Sequence, residues 1–410
     1  MADKIISLVK KEEKRQKETL MLIPSENISW PQVRAAVGSS LSQKYAEGYP
    51  GNRYYQGMKY VDRIENLAIN RAKRLFRVPH ANVQPYSGSI ANAAVYFALL
   101  NPRDTIMGLA LSDGGHLTHG HPKITFSGKY FNSVQYYADL SKKDWFDFEE
   151  IEKLAEKHKP KIIIVGITAF PREINWEKFA KIADKLSAYL VADISHIAGL
   201  IAGEANCSPV PFAHIITTTT HKTLRGPRGA VIMVTNKGIK KDKNLPKKID
   251  RAVFPGLQGG PHINSIAAIA IALKKASQPE FKKYASRVVA NAKTLAEELS
   301  KNGFEVVSGG TDNHIVLVDL KNKGVDGAEA AQLLEKAGII VNKNSVINGG
   351  SSVKVPQGIR LGTPAVTVLG MGQKEMKKIA ELICSVIEKK TDRNVLKEVR
   401  KICKCFNVIT

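Results

Sequence analysis

From about residue 80 the chain alternates short apolar or β-branched runs with helix-patterned stretches, and no other feature constrains its fold as much. Thr105–Leu109, Ile162–Ile167, Tyr189–Ala192 and Ile215–Thr220 have the length and composition of strands. Ala91–Leu100, Asp147–Lys157 and Trp176–Ser187 lie among them and carry helical patterns. Such strands need cover on both faces, so the alternation predicts an α/β domain around a mostly parallel sheet. Ligands of these sheets gather at the carboxyl ends of the strands. Motifs that directly follow a strand are therefore the first candidates for chemistry.

A helical stretch, Asn264–Leu299, leads out of this region. Beyond it, Phe304–Val307, Ile315–Asp319 and Ile339–Val341 read as strands, and Glu329–Ala337 and Lys374–Lys389 as helices, which predicts a smaller α+β domain. At the other end, residues 1–24 read as a charged helical arm with apolar Ile5, Leu8 and Val9. Tyr45–Tyr60 is rich in Gly, Tyr, Pro and Asn and reads as a loop. The expected organisation is an arm over residues 1–28, a large domain over 29–275 and a small C-terminal domain over 276–410. A chain of 410 residues is too long for a single core.

The charge balance is lopsided, with 61 Lys+Arg against 38 Asp+Glu and a formal net charge of +23. A field of that sign attracts polyanions. The lysines are scattered along nearly every helix, and no basic run is interleaved with aromatics, so nucleic-acid binding is not expected. Cys207, Cys384, Cys403 and Cys405 form neither a disulfide framework nor a Cys-x-x-Cys pair. The N-terminus lacks the apolar core of a signal peptide, and the longest apolar stretch, Ile266–Leu273, is too short to span a bilayer. A cytoplasmic protein is expected.

The strongest chemical signal is Thr217-Thr218-Thr219-Thr220-His221-Lys222-Thr223, in which a β-branched strand delivers a lysine to the sheet's carboxyl edge. A lysine near a cation or in a dry site has a lowered pKa, which suits Schiff-base chemistry. Alone, Lys222 would read better as a solvent-facing side chain. Tyr189-Leu190-Val191-Ala192-Asp193 ends a second strand on a carboxylate, the group that pyridoxal-phosphate enzymes place against the pyridinium nitrogen. The plain alternative for Asp193 is a helix cap, and for His196 a packed core histidine. Tyr86-Ser87-Gly88-Ser89 leads into a helix, and free amides at a helix N-terminus suit a phosphate ester; an ordinary serine cap is the competing reading. Arg360, between Gly358 and Gly362, offers a two-pronged grip on a carboxylate. Glu47 in Lys44–Pro50 suits a proton shuttle, with the nearby tyrosines as hydroxyl donors. His116, His119 and His121 resemble metal ligands, but no carboxylate or cysteine pattern completes a site, so no metal is expected. Stacking on a flat ring is the better use of His116.

Together these strings resemble serine hydroxymethyltransferase, a fold-type I pyridoxal-phosphate enzyme. The resemblance runs from Leu22-Ile23-Pro24-Ser25-Glu26-Asn27 to Arg360-Leu361-Gly362-Thr363-Pro364, and Thr217–Leu224 followed by Gly226-Pro227-Arg228-Gly229 is its most specific part. It implies that Lys222 carries the cofactor as a Schiff base, that Asp193 pairs with the pyridine nitrogen and that His116 stacks on the ring. His196 and Thr168 would bond the ring's oxygen side. Ser87, Gly88 and Ser89 would hold the phosphate, joined across a homodimer by Tyr45 and Gly260. Arg360 would take the substrate carboxylate with Ser25 and Tyr55 nearby, Glu47 would handle the serine hydroxyl proton, and His221 would bear on reaction specificity. Glu47, Tyr54, Leu111, Gly115, His116, Leu117 and Asn344 would meet the pterin. The implied reaction converts serine and a tetrahydropterin to glycine and the methylene-pterin.

The sequence departs from the family pattern at Ser352-Val353-Lys354, where a Ser-Pro-Phe-like stretch usually touches the pterin. A modified carrier of the tetrahydromethanopterin type is the corresponding expectation, beside tetrahydrofolate. The rival readings are a pyridoxal-phosphate threonine aldolase, which needs no pterin, and a basic nucleic-acid-binding protein.

Overall fold

The computed structural model describes residues 3–347, 356–389 and 393–406. Ser352-Val353-Lys354 lies outside them. The chain forms two compact units, one of Ser29–Ala285 and the other of Met1–Ile28 together with Ser286–Thr410.

A seven-stranded sheet organises the first unit. Across it the strands run His80–Asn82, Ala230–Val234, Ile215–Thr219, Tyr189–Asp193, Ile162–Gly166, Thr105–Leu109 and Asn132–Tyr136. The last five are mutually parallel, whereas Ala230–Val234 is antiparallel to both of its neighbours. The middle strands form because their side chains are apolar on both faces: Ile162, Ile163 and Ile164 are all fully buried. Each such burial contributes about 1.5–3 kcal/mol relative to exposure. Asp147 and Asn175 start the helices Phe148–His158 and Trp176–Lys185 by accepting backbone N–H bonds in their first turns.

This topology positions the site. The chain leaves Thr105–Leu109 for Asn132–Tyr136 on one side and returns to Ile162–Gly166 on the other. The sheet therefore has a switch point at Thr105–Leu109, where a crevice opens at the carboxyl ends. The segment 114–120 follows that strand. Asp193 stands beside Thr217 in the register of the next pair, so the ends of Tyr189–Asp193 and Ile215–Thr219 face the same side.

The helix Lys59–Phe76 ends on Arg77, which adopts the left-handed conformation at φ 55°. Glycine favours that position, and a residue with a Cβ costs about 1 kcal/mol more there.

In the second unit a four-stranded antiparallel sheet runs Glu305–Val306, Ile315–Asp319, Gly358–Gly362, Asn342–Asn344. Val316, Val318, Ile359 and Leu361 pack in its core with residues of the helices Gly327–Lys336 and Gln373–Lys389. Ile339–Ile340 does not join this sheet but pairs in parallel with Leu20–Met21, and Leu20 and Leu22 enter the same core. This pairing holds the segment after the first helix to this unit. That helix, Lys4–Lys17, buries none of its side chains. The helical stretch expected over 264–299 is two helices, Ile263–Ala276 and Pro279–Lys301; Pro279 can start a helix but not continue one. Among the described residues no helix is long and apolar enough to cross a membrane.

Candidate functional site

Lys222 stands three residues beyond the strand Ile215–Thr219, half-buried, with Nζ donating to Thr219 Oγ1 at 2.9 Å. Thr219 is tied in turn to Ser195, whose Oγ accepts from Thr219 N–H at 3.0 Å. The helix Gly88–Leu99 begins against the same threonine. A Cβ on Gly88 would lie 2.7 Å from Thr219 Cγ2, so only glycine lets the loop approach this closely. Ser87 caps that helix by accepting from Ile90 N–H. The first amides, including those of Gly88 and Ser89, have no acceptor within the helix and form its electropositive end. Lys222, Thr219, Ser195 and the Ser87–Ser89 turn are thus one continuous set of contacts.

Asp193, buried at the end of its strand, is the electrostatic centre. Its Oδ2 accepts from Asn92 Nδ2 at 2.9 Å and from His119 Nε2 at 3.1 Å, and its Oδ1 accepts from Ser195 N–H at 3.0 Å. Burial alone would raise its pKa, but the His119 bond and charge and the Ser195 bond together hold it well below the usual carboxylate range. Asn92 also donates to Thr118 Oγ1 at 2.9 Å and accepts from Thr217 Oγ1 at 2.7 Å. Sequence reasoning did not assign Asn92 or Ser195 and weighed His119 only as a metal ligand. Asn92 lies 101 residues from Asp193, and nothing local announces the pairing.

His116 Nδ1 accepts from Thr118 N–H at 3.2 Å and lies 2.8 Å from Thr118 Oγ1. Burial, helped by His119, pushes its pKa down to about 4, so the ring is neutral at physiological pH. His221 shares that state: burial, Lys222 and Arg228 lower its pKa to about 3. Its Nε2 lies 3.2 Å from Arg228 Nη1, whereas the buried Nδ1 has no hydrogen-bond partner among the described residues. His196 is buried, with its carbonyl accepting from Thr223 Oγ1 at 2.7 Å. Thr168 is half-buried and donates its N–H to Gly114 O at 2.7 Å. Leu111 is half-buried and Leu117 exposed, while Gly115 is buried against Leu109 O, where a Cβ would not fit.

A second cluster in the same unit gathers Tyr45, Glu47, Tyr55 and Gly260. Tyr55 OH donates to Glu47 Oε2 at 3.3 Å, and the Tyr45 and Tyr55 rings meet edge-on at 5.3 Å. A Cβ on Gly260 would sit 3.3 Å from the Tyr45 ring, and one on Gly259 would sit 2.9 Å from Glu47 Oε1. Tyr54 is exposed and packs its edge on Phe254. Arg53 pins this loop: its Nη1 donates to Ala46 O and Gly48 O, both at 2.8 Å, while Nε and Nη2 reach Asp62 and Glu65. Tyr86, next to Ser87, donates its OH to Gly260 O at 2.6 Å and connects this cluster to the first.

Arg360, Ser25 and Asn344 belong to the other unit. Arg360 is buried in Gly358–Gly362 and donates Nε–H to Asn342 Oδ1 at 3.1 Å; burial lowers its pKa to about 10, still charged at neutral pH. The half-buried Ser25 follows Pro24, which crosses Gly362 so closely that a Cβ there would meet Pro24 Cα at 2.5 Å. Asn344 pairs with Gly358.

These groups fit pyridoxal phosphate. An amine held at a strand end, an ionised buried carboxylate, a neutral flat imidazole and a helix-end amide cluster complement in turn an aldehyde, a ring nitrogen, an aromatic face and a phosphate.

Comparison with known proteins agrees. The sequence profile of the family described as serine hydroxymethyltransferase matches residues 1–383. A serine hydroxymethyltransferase of Acidothermus cellulolyticus is 54% identical over 384 residues, covering 93% of this chain and 87% of the relative. Another, from Legionella pneumophila, is 50% identical over 410 residues and covers 99% of this chain and 97% of its own. A third, from Rickettsia canadensis, is 50% identical over 412 residues, with 98% and 96% covered. With the profile spanning nearly the whole chain and relatives this similar over full length, the chain belongs to the serine hydroxymethyltransferase family.

Proposed function

We infer that this fold-type I enzyme moves the hydroxymethyl carbon of serine to a tetrahydropterin, giving glycine and the methylene-pterin, and that Lys222 carries its pyridoxal phosphate. The observation that supports this most is the Lys222–Thr219–Ser195–Asp193 chain of contacts, with the helix start at Gly88 seated on it. When bound, pyridoxal phosphate supplies a sink for the electron pair released at the substrate Cα.

The chain's own residues prepare that chemistry. Asp193, ionised by its three donors, keeps a proton on the ring nitrogen. His116 offers a neutral face for stacking, with its tilt fixed by Thr118. The amides of Ser87–Ser89 hold the phosphate, and His196 and Thr168 bond the ring's oxygen side. Arg360, oriented by Asn342, takes the substrate carboxylate with Ser25 and Tyr55. Glu47 moves the serine hydroxyl proton, and its bond from Tyr55 keeps the carboxylate aimed. His221 serves reaction specificity. Tyr54, Leu111, Gly115, Leu117 and Asn344 meet the pterin.

Tyr45, Glu47 and Gly260 are gathered in one cluster with Tyr55, which supports Tyr45, Glu47 and Gly260 acting together at the site of the partner in a homodimer. The cytoplasm is the proposed location. Steady-state serine cleavage tests the reading: turnover should require a tetrahydropterin and be lost in Lys222→Ala. Pterin-independent cleavage of threonine, faster than serine turnover with pterin, would make the chain an aldolase instead. Parallel assays with tetrahydrofolate and tetrahydromethanopterin identify the carrier.

A further inference from the structure

The first unit contains a cavity of about 350 Å³ that involves none of the candidate site residues above. Its rim carries Arg71, Arg74 and Arg77 from the end of the helix Lys59–Phe76, Lys274 from the last turn of Ile263–Ala276, and Lys282 and Glu204. Leu67 and Leu75 line its apolar side, and Leu67 is 46% exposed. Its size lies near the lower end of the range for small-molecule sites.

Five cations face one carboxylate here. Glu204 is bound to Lys282 at 2.7 Å, and Arg71 is fixed by its bond to Ala270 O at 2.8 Å. Among the described residues, the side chains of Arg74, Arg77 and Lys274 have no hydrogen-bond or ion-pair partner; Arg77 acts on Glu204 only at longer range. Both helices end at this rim, so part of the positive charge offsets their carbonyl ends. Two such ends amount to about one negative charge in total. The rim's excess of four positive charges is larger than that.

Two rim residues also have an uncommon backbone conformation. Arg77 and Glu204 both sit in the left-handed region, at φ 55° and 58°, where glycine would be favoured. A sequence selected for local stability alone would place glycine at the end of this helix. Instead it keeps a guanidinium at the rim of the cavity.

We propose that this cavity binds a small organic polyphosphate, its phosphates taken by Arg74, Arg77 and Lys274 and its apolar body lying against Leu67 and Leu75. The site is separate from the cofactor's phosphate turn at Ser87–Ser89, so both can be filled together.

Titration calorimetry tests the proposal with holoenzyme saturated in pyridoxal phosphate, at about 50 mM salt so that screening is modest. The probes are magnesium-free ATP, inorganic pyrophosphate and adenosine. ATP should bind saturably, pyrophosphate more weakly, and adenosine not measurably. Arg74→Glu and Lys274→Glu should each weaken ATP about tenfold or more, the usual scale of one lost charge-assisted contact. Arg77→Gly should weaken ATP severalfold while the melting temperature stays level or rises, a split that a purely structural residue would not show. Serine turnover without ATP should stay at the wild-type rate in all three. No saturable ATP binding, or binding that Arg74→Glu and Lys274→Glu leave intact, would overturn the proposal. Unweakened binding by Arg77→Gly would remove Arg77 from the site.

Discussion

Replacing Asp193 by asparagine tests the electrostatic centre most sharply, because the geometry fixes what the change must cost. Three donors converge on the carboxylate: Asn92 Nδ2 and His119 Nε2 on Oδ2, and Ser195 N–H on Oδ1. An asparagine offers one oxygen. If that oxygen accepts from Asn92 and His119, the new amide group faces the Ser195 N–H, donor against donor, in a buried site. A buried donor left unsatisfied costs about 1–3 kcal/mol, and bonds to a neutral acceptor are weaker than those to a charged one. The apo protein should therefore lose about 2 kcal/mol, a fall in melting temperature of roughly 4–8 °C for a unit of this size. The wild-type carboxylate has a depressed pKa in the folded state. Its contribution is present above the unfolded value near 4 and is lost as pH falls through the folded value. The stability gap between variant and wild type should accordingly be full at pH 7 and narrow at strongly acidic pH. Without the negative charge, the ring nitrogen no longer keeps its proton, and kcat for serine cleavage should fall about 10²–10³-fold, the scale of one lost preorganised electrostatic partner. Melting curves of the cofactor-free protein from pH 3 to 8, with turnover at saturating cofactor, measure both effects. A variant that melts with the wild type and keeps kcat within about threefold would refute this reasoning.

Three further outcomes are expected. Gly88→Ala puts a Cβ 2.7 Å from Thr219 Cγ2, so it should weaken cofactor binding about tenfold or more in an absorbance titration; wild-type affinity would contradict the close approach. Arg53→Ala leaves the buried Glu65 without its cation and frees the carbonyls on both sides of Glu47. It should lose about 3–5 kcal/mol in urea unfolding, and an unchanged midpoint would count against the pinning of that loop. Mixing Glu47→Gln with Lys222→Ala chains should recover part of the serine turnover if Glu47 serves the partner's site, and no recovery would argue for self-contained sites.

Much of the fold was legible because the informative segments are apolar over their full length. Thr105–Leu109 and Ile315–Asp319 form strands over the residues that the pattern marked. Asn132–Tyr136 was not legible: as the parallel edge it buries only Tyr136 fully, and its composition resembles a loop. Ala230–Val234 is a five-residue apolar run, which periodicity alone does not separate from helix. Leu20–Met21 looked like the tail of an arm, because two residues carry no strand signal until Ile339–Ile340 is beside them. At the site, Lys222, Asp193 and Ser87–Ser89 could be singled out because each lies at or just beyond a strand end or starts a helix. Asn92 and Ser195 could not, since each acts through partners that only the sheet's topology supplies. His119 was visible, but as one of three histidines that resembled metal ligands; its bond to Asp193, 74 residues away, gives it a different use.

The most direct test of the assignment is peptide mapping after reduction. Treating the yellow holoenzyme with borohydride and digesting it should yield one pyridoxyl-modified peptide, with the group on the lysine of His221-Lys222-Thr223, and Lys222→Ala should give none. A pyridoxyl group on a different lysine, or a colourless protein that takes up no cofactor, would contradict it.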